Sequence, residues 1–154
     1  MRVSVQSFLT TMAGTLDSKG RVCIPADWRQ ILAAQNTPGV FLCPSFSSAA
    51  IEGFGAEVLG RFQQQLAGED PFFSPQFNDR AVVVMAMSHK LPFDENGRVR
   101  LPEELIAHAR LKDRVAFVGM GTKFRIWEPA LYQESLAEIL KRVQAGFNAA
   151  GGQE

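Results

Sequence analysis

The side chains best placed to do chemistry are two Asp-x-x-x-Arg pairs, Asp17 with Arg21 and Asp94 with Arg98, each spanning a glycine, Gly20 or Gly97. A carboxylate three residues before a glycine can accept hydrogen bonds from the backbone N–H groups of a tight turn. The glycine takes the left-handed conformation that such a turn requires. These four residues, Asp17, Gly20, Asp94 and Gly97, are therefore read as turn-structuring. The arginine that follows offers a planar fork of donors, suited to a phosphate or to the edge of a guanine in the major groove. Lys19, Arg29 and Arg100 add cationic side chains around the same turns, so Lys19, Arg21, Arg29, Arg98 and Arg100 form the candidate DNA-binding set. A plainer account stands beside this one, in which the aspartate caps the turn and the arginine is its structural partner.

Other chemistries find no support in the sequence. Cys23 and Cys43 stand apart from each other and from His89 and His108, with no metal-ligand spacing. They read as reduced packing residues, and the two histidines show no obvious partner. Asp94-Glu95-Asn96-Gly97 lacks the later ligands of a calcium loop. Gly119-Met120-Gly121 has no third glycine and joins two strand-like runs, so it is a turn and not a dinucleotide cradle. No nucleophile elbow, zinc helix or phosphate loop is present, and no catalytic residue, metal or cofactor is assigned.

Each Asp-x-x-x-Arg pair belongs to a ten-residue unit. Leu16 to Pro25 reads Leu-Asp-Ser-Lys-Gly-Arg-Val-Cys-Ile-Pro, and Phe93 to Pro102 reads Phe-Asp-Glu-Asn-Gly-Arg-Val-Arg-Leu-Pro. The agreement points to a tandem duplication. The alternation after each glycine sends Val22 and Ile24, or Val99 and Leu101, to one face. Arg21 and Cys23, or Arg98 and Arg100, go to the other. Pro25 and Pro102 then suit the first turn of a helix, with Asp27, Glu103 and Glu104 near its N-terminus.

Beyond the units the two halves run in parallel, each as strand, turn, strand, helix, hairpin and helix. The first has an entering strand at Met12 to Leu16, a helix from Pro25 through Ala34, and strands at Val40 to Cys43 and Ala49 to Glu52. A helix over Gly55 to Ala67 closes it. Ser74-Pro75 predicts an N-cap and a helix over Gln76 to Met87. The second half has a helix over Glu103 to Arg110, a hairpin of Arg114 to Val118 with Lys123 to Trp127, and a last helix from Pro129 to about Ala145. The expected division is residues 1–68 for the first half, 69–88 for a helical connection, 89–146 for the second half, and 147–154 for a disordered tail. Each half is small alone, so the two are expected to share one core about a pseudo-two-fold axis.

An apolar fraction of 46% is that of a globular protein, and the 16 basic and 16 acidic residues cancel. Attraction to nucleic acid must therefore come from a local patch. No run approaches the ~20 apolar residues of a membrane span, and the reduced cysteines suit the cytoplasm.

The duplicated unit, followed by Trp28-Arg29 in the first half and by Phe117-Val118-Gly119-Met120-Gly121 and Lys123-Phe124-Arg125-Ile126-Trp127 in the second, resembles the MraZ family. Members of that family carry two AbrB-like halves, each with an Asp-x-x-x-Arg motif. The resemblance implies an α+β fold with a mainly β core, built of tandem duplicated, swapped-hairpin AbrB-like halves in one pseudo-two-fold domain with flanking helices. It also implies a ring of identical subunits and a nucleoid-associated transcriptional regulator of double-stranded DNA. The target would be short direct repeats upstream of the cell-division and cell-wall gene cluster, with Arg21 in contact with DNA and Lys19 in the same turn. No membrane or small-molecule substrate is implied. The second motif departs from the first in being less basic, with Glu95 where Ser18 stands, and Pro92 interrupts its entering strand. The alternative is an AbrB-like antitoxin or protein-interaction module without a DNA target of its own.

Overall fold

A computed structural model of the chain describes residues 6–151. Its elements are β1 (Thr11–Thr15), β2 (Arg21–Cys23), α1 (Ala26–Ala34), β3 (Gly39–Pro44), β4 (Ile51–Phe54), α2 (Ala56–Leu66), α3 (Pro75–Arg80), β5 (His89–Pro92), β6 (Arg98–Arg100), α4 (Glu103–Ala109), β7 (Arg114–Gly119), β8 (Phe124–Trp127) and α5 (Pro129–Gly151). The fold is α+β, with antiparallel strands throughout.

Six strands form one sheet in the order β1-β7-β8-β4-β3-β5, and β2 pairs with β6 in a separate ribbon. The β7–β8 hairpin and the β3–β4 hairpin meet at the centre, where Ile51 faces Ile126 and Glu52 faces Arg125. Each entering strand joins the hairpin of the other end of the chain: β1 lies on β7, and β5 lies on β3. Neither pairs with the strand that follows its own turn. The partner of β2 is β6, in the register Arg21 to Arg100, Val22 to Val99 and Cys23 to Arg98.

That register puts Val22 and Val99 together on the buried side of the ribbon, with Ile24 and Leu101 just beyond them. The inner face of the sheet, the ribbon and the apolar faces of α1 and α4 enclose a single main core. Trp28 of α1 is its centrepiece, with ring centroids 4.8 Å from Phe124, 5.5 Å from Phe8 and 6.0 Å from Phe117. Removing a ring of that size costs about 3–5 kcal/mol. On the outer face a smaller cluster of Ala50, Ala116 and Trp127 receives Leu131 and Tyr132 and so docks the first turns of α5.

Several boundaries differ from those read in the sequence. The second strand of the first hairpin is Ile51–Phe54 and not Ala49 to Glu52. The Ser45 N–H bonds to the Ala50 carbonyl at 2.9 Å, and the hydroxyls of Ser45, Ser47 and Ser48 hold one another, so this loop closes later than its composition suggests. Pro25 and Pro102 sit at the cap positions, one residue before their helices. Ser74 does cap α3, accepting from the Phe77 N–H at 3.2 Å. The helix then continues past Arg80 as a wider π-helical stretch over Ala81–Ala86, closed by the Met87 N–H on the Val82 carbonyl.

The last helix does not stop near Ala145 but runs to Gly151. Ala145, Ala149 and Ala150 are strong helix formers, and they outweigh Gly146 and the polar Asn148 that suggested a tail. The rest of the expected tail, 152–154, lies outside the described residues.

Candidate nucleic-acid interface

The two turns are built alike. In the first, Asp17 Oδ1 accepts from the backbone N–H groups of Lys19 and Arg21, both at 2.9 Å, and Oδ2 accepts from Arg21 Nε at 2.8 Å. In the second, Asp94 Oδ1 accepts from Asn96 at 2.8 Å and Arg98 at 2.9 Å, and Oδ2 from Arg98 Nε at 3.0 Å. Gly20 and Gly97 both have φ of +77°, a conformation a side chain rarely adopts. The backbone N–H of Arg21, above all, holds the Asp17 carboxyl below its ordinary value, and that of Arg98 does the same for Asp94. Both aspartates are therefore charged wherever the protein is folded near neutral pH.

Each aspartate takes the Nε of its arginine and leaves the terminal nitrogens without a hydrogen bond to it. The Arg21 and Arg98 side chains are 25% and 31% exposed, so the pairing holds them without sealing them in. Reciprocal bonds lock the turns together: Ile24 N–H donates to the Gly97 carbonyl at 3.1 Å and Leu101 N–H to the Gly20 carbonyl at 2.8 Å. The ribbon thus shows Arg21, Arg98 and Arg100 on one outward face. Arg21 stands directly opposite Arg100, an arrangement of like charges that is unfavourable by itself. Arg21 Nη1 also lies 4.0 Å from Asp94 Oδ2, so this guanidinium is shared between both carboxylates. The three arginines with Asp94 line an open groove of about 640 Å³, whose walls include Leu91, Phe93 and Leu101. Lys19 and Arg100 are exposed, and no partner for either side chain is found among the described residues.

Arg29 is placed differently. Its Nε donates to the Ile24 carbonyl at 3.0 Å, and its guanidinium packs flat against Gly97, where a β-carbon on that residue would come within 2.4 Å of Cζ. Over Gly20 the corresponding neighbour is Ile106 of α4, at an ordinary 3.6 Å. Arg29 therefore braces the second turn from behind and brings a positive charge to the turn that carries Asn96 in place of Lys19.

The family model described as "MraZ protein, putative antitoxin-like" matches residues 78–148. A protein named transcriptional regulator MraZ from Xanthobacter autotrophicus is 38% identical over 144 residues, covering 94% of this chain and 91% of the relative. Its namesake from Azorhizobium caulinodans is 36% identical over 89% of this chain and 87% of the relative. That from Gluconacetobacter diazotrophicus is 40% identical over 88% and 87%. The chain belongs to the MraZ family. Those relatives are named as regulators of transcription, not as enzymes.

Within this MraZ-family chain the structure reveals charged contacts that sequence reasoning missed. Glu52 on β4 accepts from Lys123 Nζ at 2.9 Å and from Arg125 Nε at 3.0 Å, at the seam between the two hairpins. Burial by itself would raise this carboxyl, but the bonds from Arg125 and Lys123 outweigh it and hold it below its ordinary value. The one signal was a lone acid in an apolar strand-like run, with Lys123 and Arg125 alternating far along the chain. The histidines also have partners, contrary to expectation. His89 Nε2 lies 2.8 Å from Glu104 Oε1, and His108 Nε2 lies 3.2 Å from the Ser48 carbonyl. Cys43 is buried, and burial together with the nearby charge of Glu52 pushes its thiol up to about 11, whereas Cys23 is exposed on the ribbon. No cluster of three or more metal-ligating side chains occurs among the described residues, and no described helix is long and apolar enough to cross a membrane.

Proposed function

We propose that this chain is a DNA-binding transcriptional regulator that grips the duplex with the outward face of the β2–β6 ribbon. The observation that carries the reading is the set of three arginines, Arg21, Arg98 and Arg100, drawn from two distant turns onto one outward face, with Arg21 and Arg98 held there by Asp17 and Asp94. Fixed guanidinium groups lose little freedom on meeting a phosphate or a guanine edge. Lys19 extends the face at the first turn, while Arg29 acts mainly as a brace. The names of the relatives support regulation of transcription.

In this reading the chain arose by tandem duplication of an AbrB-like half, and the exchange of β1 and β5 between hairpins is a swapped-hairpin arrangement. Identical subunits assemble into a ring that binds short direct repeats upstream of the cell-division and cell-wall gene cluster, in the cytoplasm and at the nucleoid. A neutral chain with one small cationic face binds weakly alone. Several faces meeting regularly spaced repeats act at high effective concentration, and gain roughly 10²- to 10⁴-fold. Affinity falls steeply with salt, by a slope of about 0.9 per phosphate neutralised.

The experiment is a gel shift and a titration with one repeat and with several, at two salt concentrations, for the native chain and Arg21→Ala. Arg21→Ala is expected to lose most of the binding while the mass of the assembly and the far-ultraviolet circular dichroism stay as they were. Unchanged affinity, or equal affinity for one repeat and several, refutes the reading. A stable complex with another protein and no DNA shift would favour the antitoxin-like alternative that the family description names.

A further inference from the structure

The outer face of the sheet is covered unevenly. The first turns of α5 dock on it beside Ala116 and Trp127. Nearer β4 the cover is α2, which packs against that strand yet has Leu66 as its only buried residue. Val58, Leu59 and Phe62, on one side of α2, are only half-buried. Between them and the sheet lies a cavity of about 270 Å³, walled also by Phe54 of β4, by Val84 of the π-helical stretch and by Phe46 of the β3–β4 loop. Phe46 is 64% exposed and so forms its rim toward solvent. Four separate segments thus turn apolar side chains onto one small space.

The same space is lined by the charged seam of the sheet, Glu52, Lys123 and Arg125, together with Ser47. Glu52 accepts from Lys123 Nζ and from Arg125 Nε, and Arg125 Nη2 lies 3.3 Å from Ser47 Oγ. Two cations answer one carboxylate, so one positive charge is left over. Cys43, which also lines the cavity, adds no charge at neutral pH, because burial pushes its thiol up to about 11. The Lys123 and Arg125 side chains are 32% and 17% exposed, so water screens the surplus only in part.

A surplus positive charge beside a roofed apolar space selects an anion that carries an apolar body. We propose that this cavity is a binding site for a small apolar monocarboxylate, its head on Lys123 and Arg125 and its body among Phe46, Phe54, Leu59, Phe62 and Val84. One negative charge balances the surplus, whereas a dianion such as a phosphate ester would leave charge unpaired in a half-buried site. The planar carboxylate also matches the guanidinium fork. The volume lies below the roughly 300–1,000 Å³ of sites for drug-sized ligands, which limits the body to a short chain or a single ring. None of the lining residues belongs to the β2–β6 ribbon, so this site and the DNA reading stand or fall separately.

Equilibrium dialysis of the full chain against octanoate and against benzoate, a chain and a ring with the same head, tests the proposal. Saturable binding of at least one of them, at one molecule per chain, is expected. The neutral analogue, octanol or benzyl alcohol, should bind about tenfold more weakly, the loss of one charge-assisted contact. Lys123→Met removes the surplus charge, keeps the apolar stem and leaves Glu52 paired with Arg125; it should weaken the carboxylate about tenfold and the alcohol hardly at all. Val84→Trp fills the space and should abolish the binding of both. Lys141→Met makes the same change of charge on α5 and should leave both unaltered, and circular dichroism confirms the fold of each variant. Absence of saturable binding by either acid overturns the proposal. So does an alcohol that binds as tightly as its acid, an equal loss in Lys123→Met and Lys141→Met, or a folded Val84→Trp that binds like the native chain.

Discussion

The two turns share a backbone but differ in what lies over their glycines, and that difference can be measured. Gly20→Ala forces a side chain into a left-handed conformation at φ +77° with open room around it, since Ile106 stays at 3.6 Å. The cost is that of the conformation alone, roughly 1–2 kcal/mol. Gly97→Ala meets the same strain and also places its methyl within 2.4 Å of Arg29 Cζ. Arg29 must swing away and give up the bond from Nε to the Ile24 carbonyl. A bond from a charged donor contributes about 1.5–3 kcal/mol, and a half-exposed guanidinium recovers part of it from water, so about 1 kcal/mol is the added penalty. Urea unfolding at one fixed protein concentration, because association adds to apparent stability, should give about 2–3 kcal/mol for Gly97→Ala. The Arg29→Ala background should reduce that figure to the cost of Gly20→Ala. Equal costs at the two glycines, or a cycle that is additive within error, refutes the idea that Arg29 braces the second turn.

Two further outcomes follow from the ion pairs. Glu52→Gln leaves Lys123 and Arg125 facing a neutral amide at the seam of the sheet, and is expected to lower the unfolding free energy by about 2–3 kcal/mol; a loss below about 0.5 kcal/mol in urea unfolding would show the seam to be indifferent to charge. Asp17 and Asp94 titrate below their ordinary 3.8 in the folded chain, so their contribution is complete above that value and disappears as pH falls through the lower, folded one. As pH falls below 3.8 the native chain should therefore lose urea resistance more steeply than Asp17→Asn/Asp94→Asn, and parallel losses would contradict the assignment.

Much of the candidate site could be read locally. The alternation at Arg21-Val22-Cys23-Ile24 fixes which side chains face outward whatever strand lies alongside, and the Asp-x-x-Gly spacing specifies a turn with its own hydrogen-bond acceptor. The residues themselves do not say which strand lies alongside. A strand's hydrogen-bonding edges carry no side chains, so nothing in Thr11 to Thr15 marks β7 as its partner in preference to β2. For the same reason Glu52 and Arg125, far apart in the chain, could not be paired before the register of β4 on β8 was known. Arg29 was counted with the phosphate-binding set because its place on the first turn of α1 was legible, while the crossing of β2 and β6 that lays it over Gly97 was not.

The same crossing makes the two turns unequal partners for an anion. The first carries Lys19 and Arg21; the second carries Arg98 and exposed Glu95, with the charge of Arg29 tucked behind it. A phosphate approaching the groove lined by Arg21, Arg98 and Arg100 meets attraction from one side and a mixed field from the other. Glu95→Lys reverses that mixture. Two units of charge at an exposed position a few ångströms from a phosphate are worth about 0.5–1 kcal/mol at low ionic strength, so affinity for DNA should rise roughly two- to fivefold. The gain should shrink toward nothing near 0.5 M salt, as screening shortens the reach of the new charge. Glu134→Lys makes the same change in net charge on α5, away from the ribbon, and serves as the control. If both substitutions raise affinity equally, overall charge is what DNA responds to, and the ribbon face has lost its claim to be the site of contact; a gain confined to Glu95→Lys places the duplex against the second turn as well as the first.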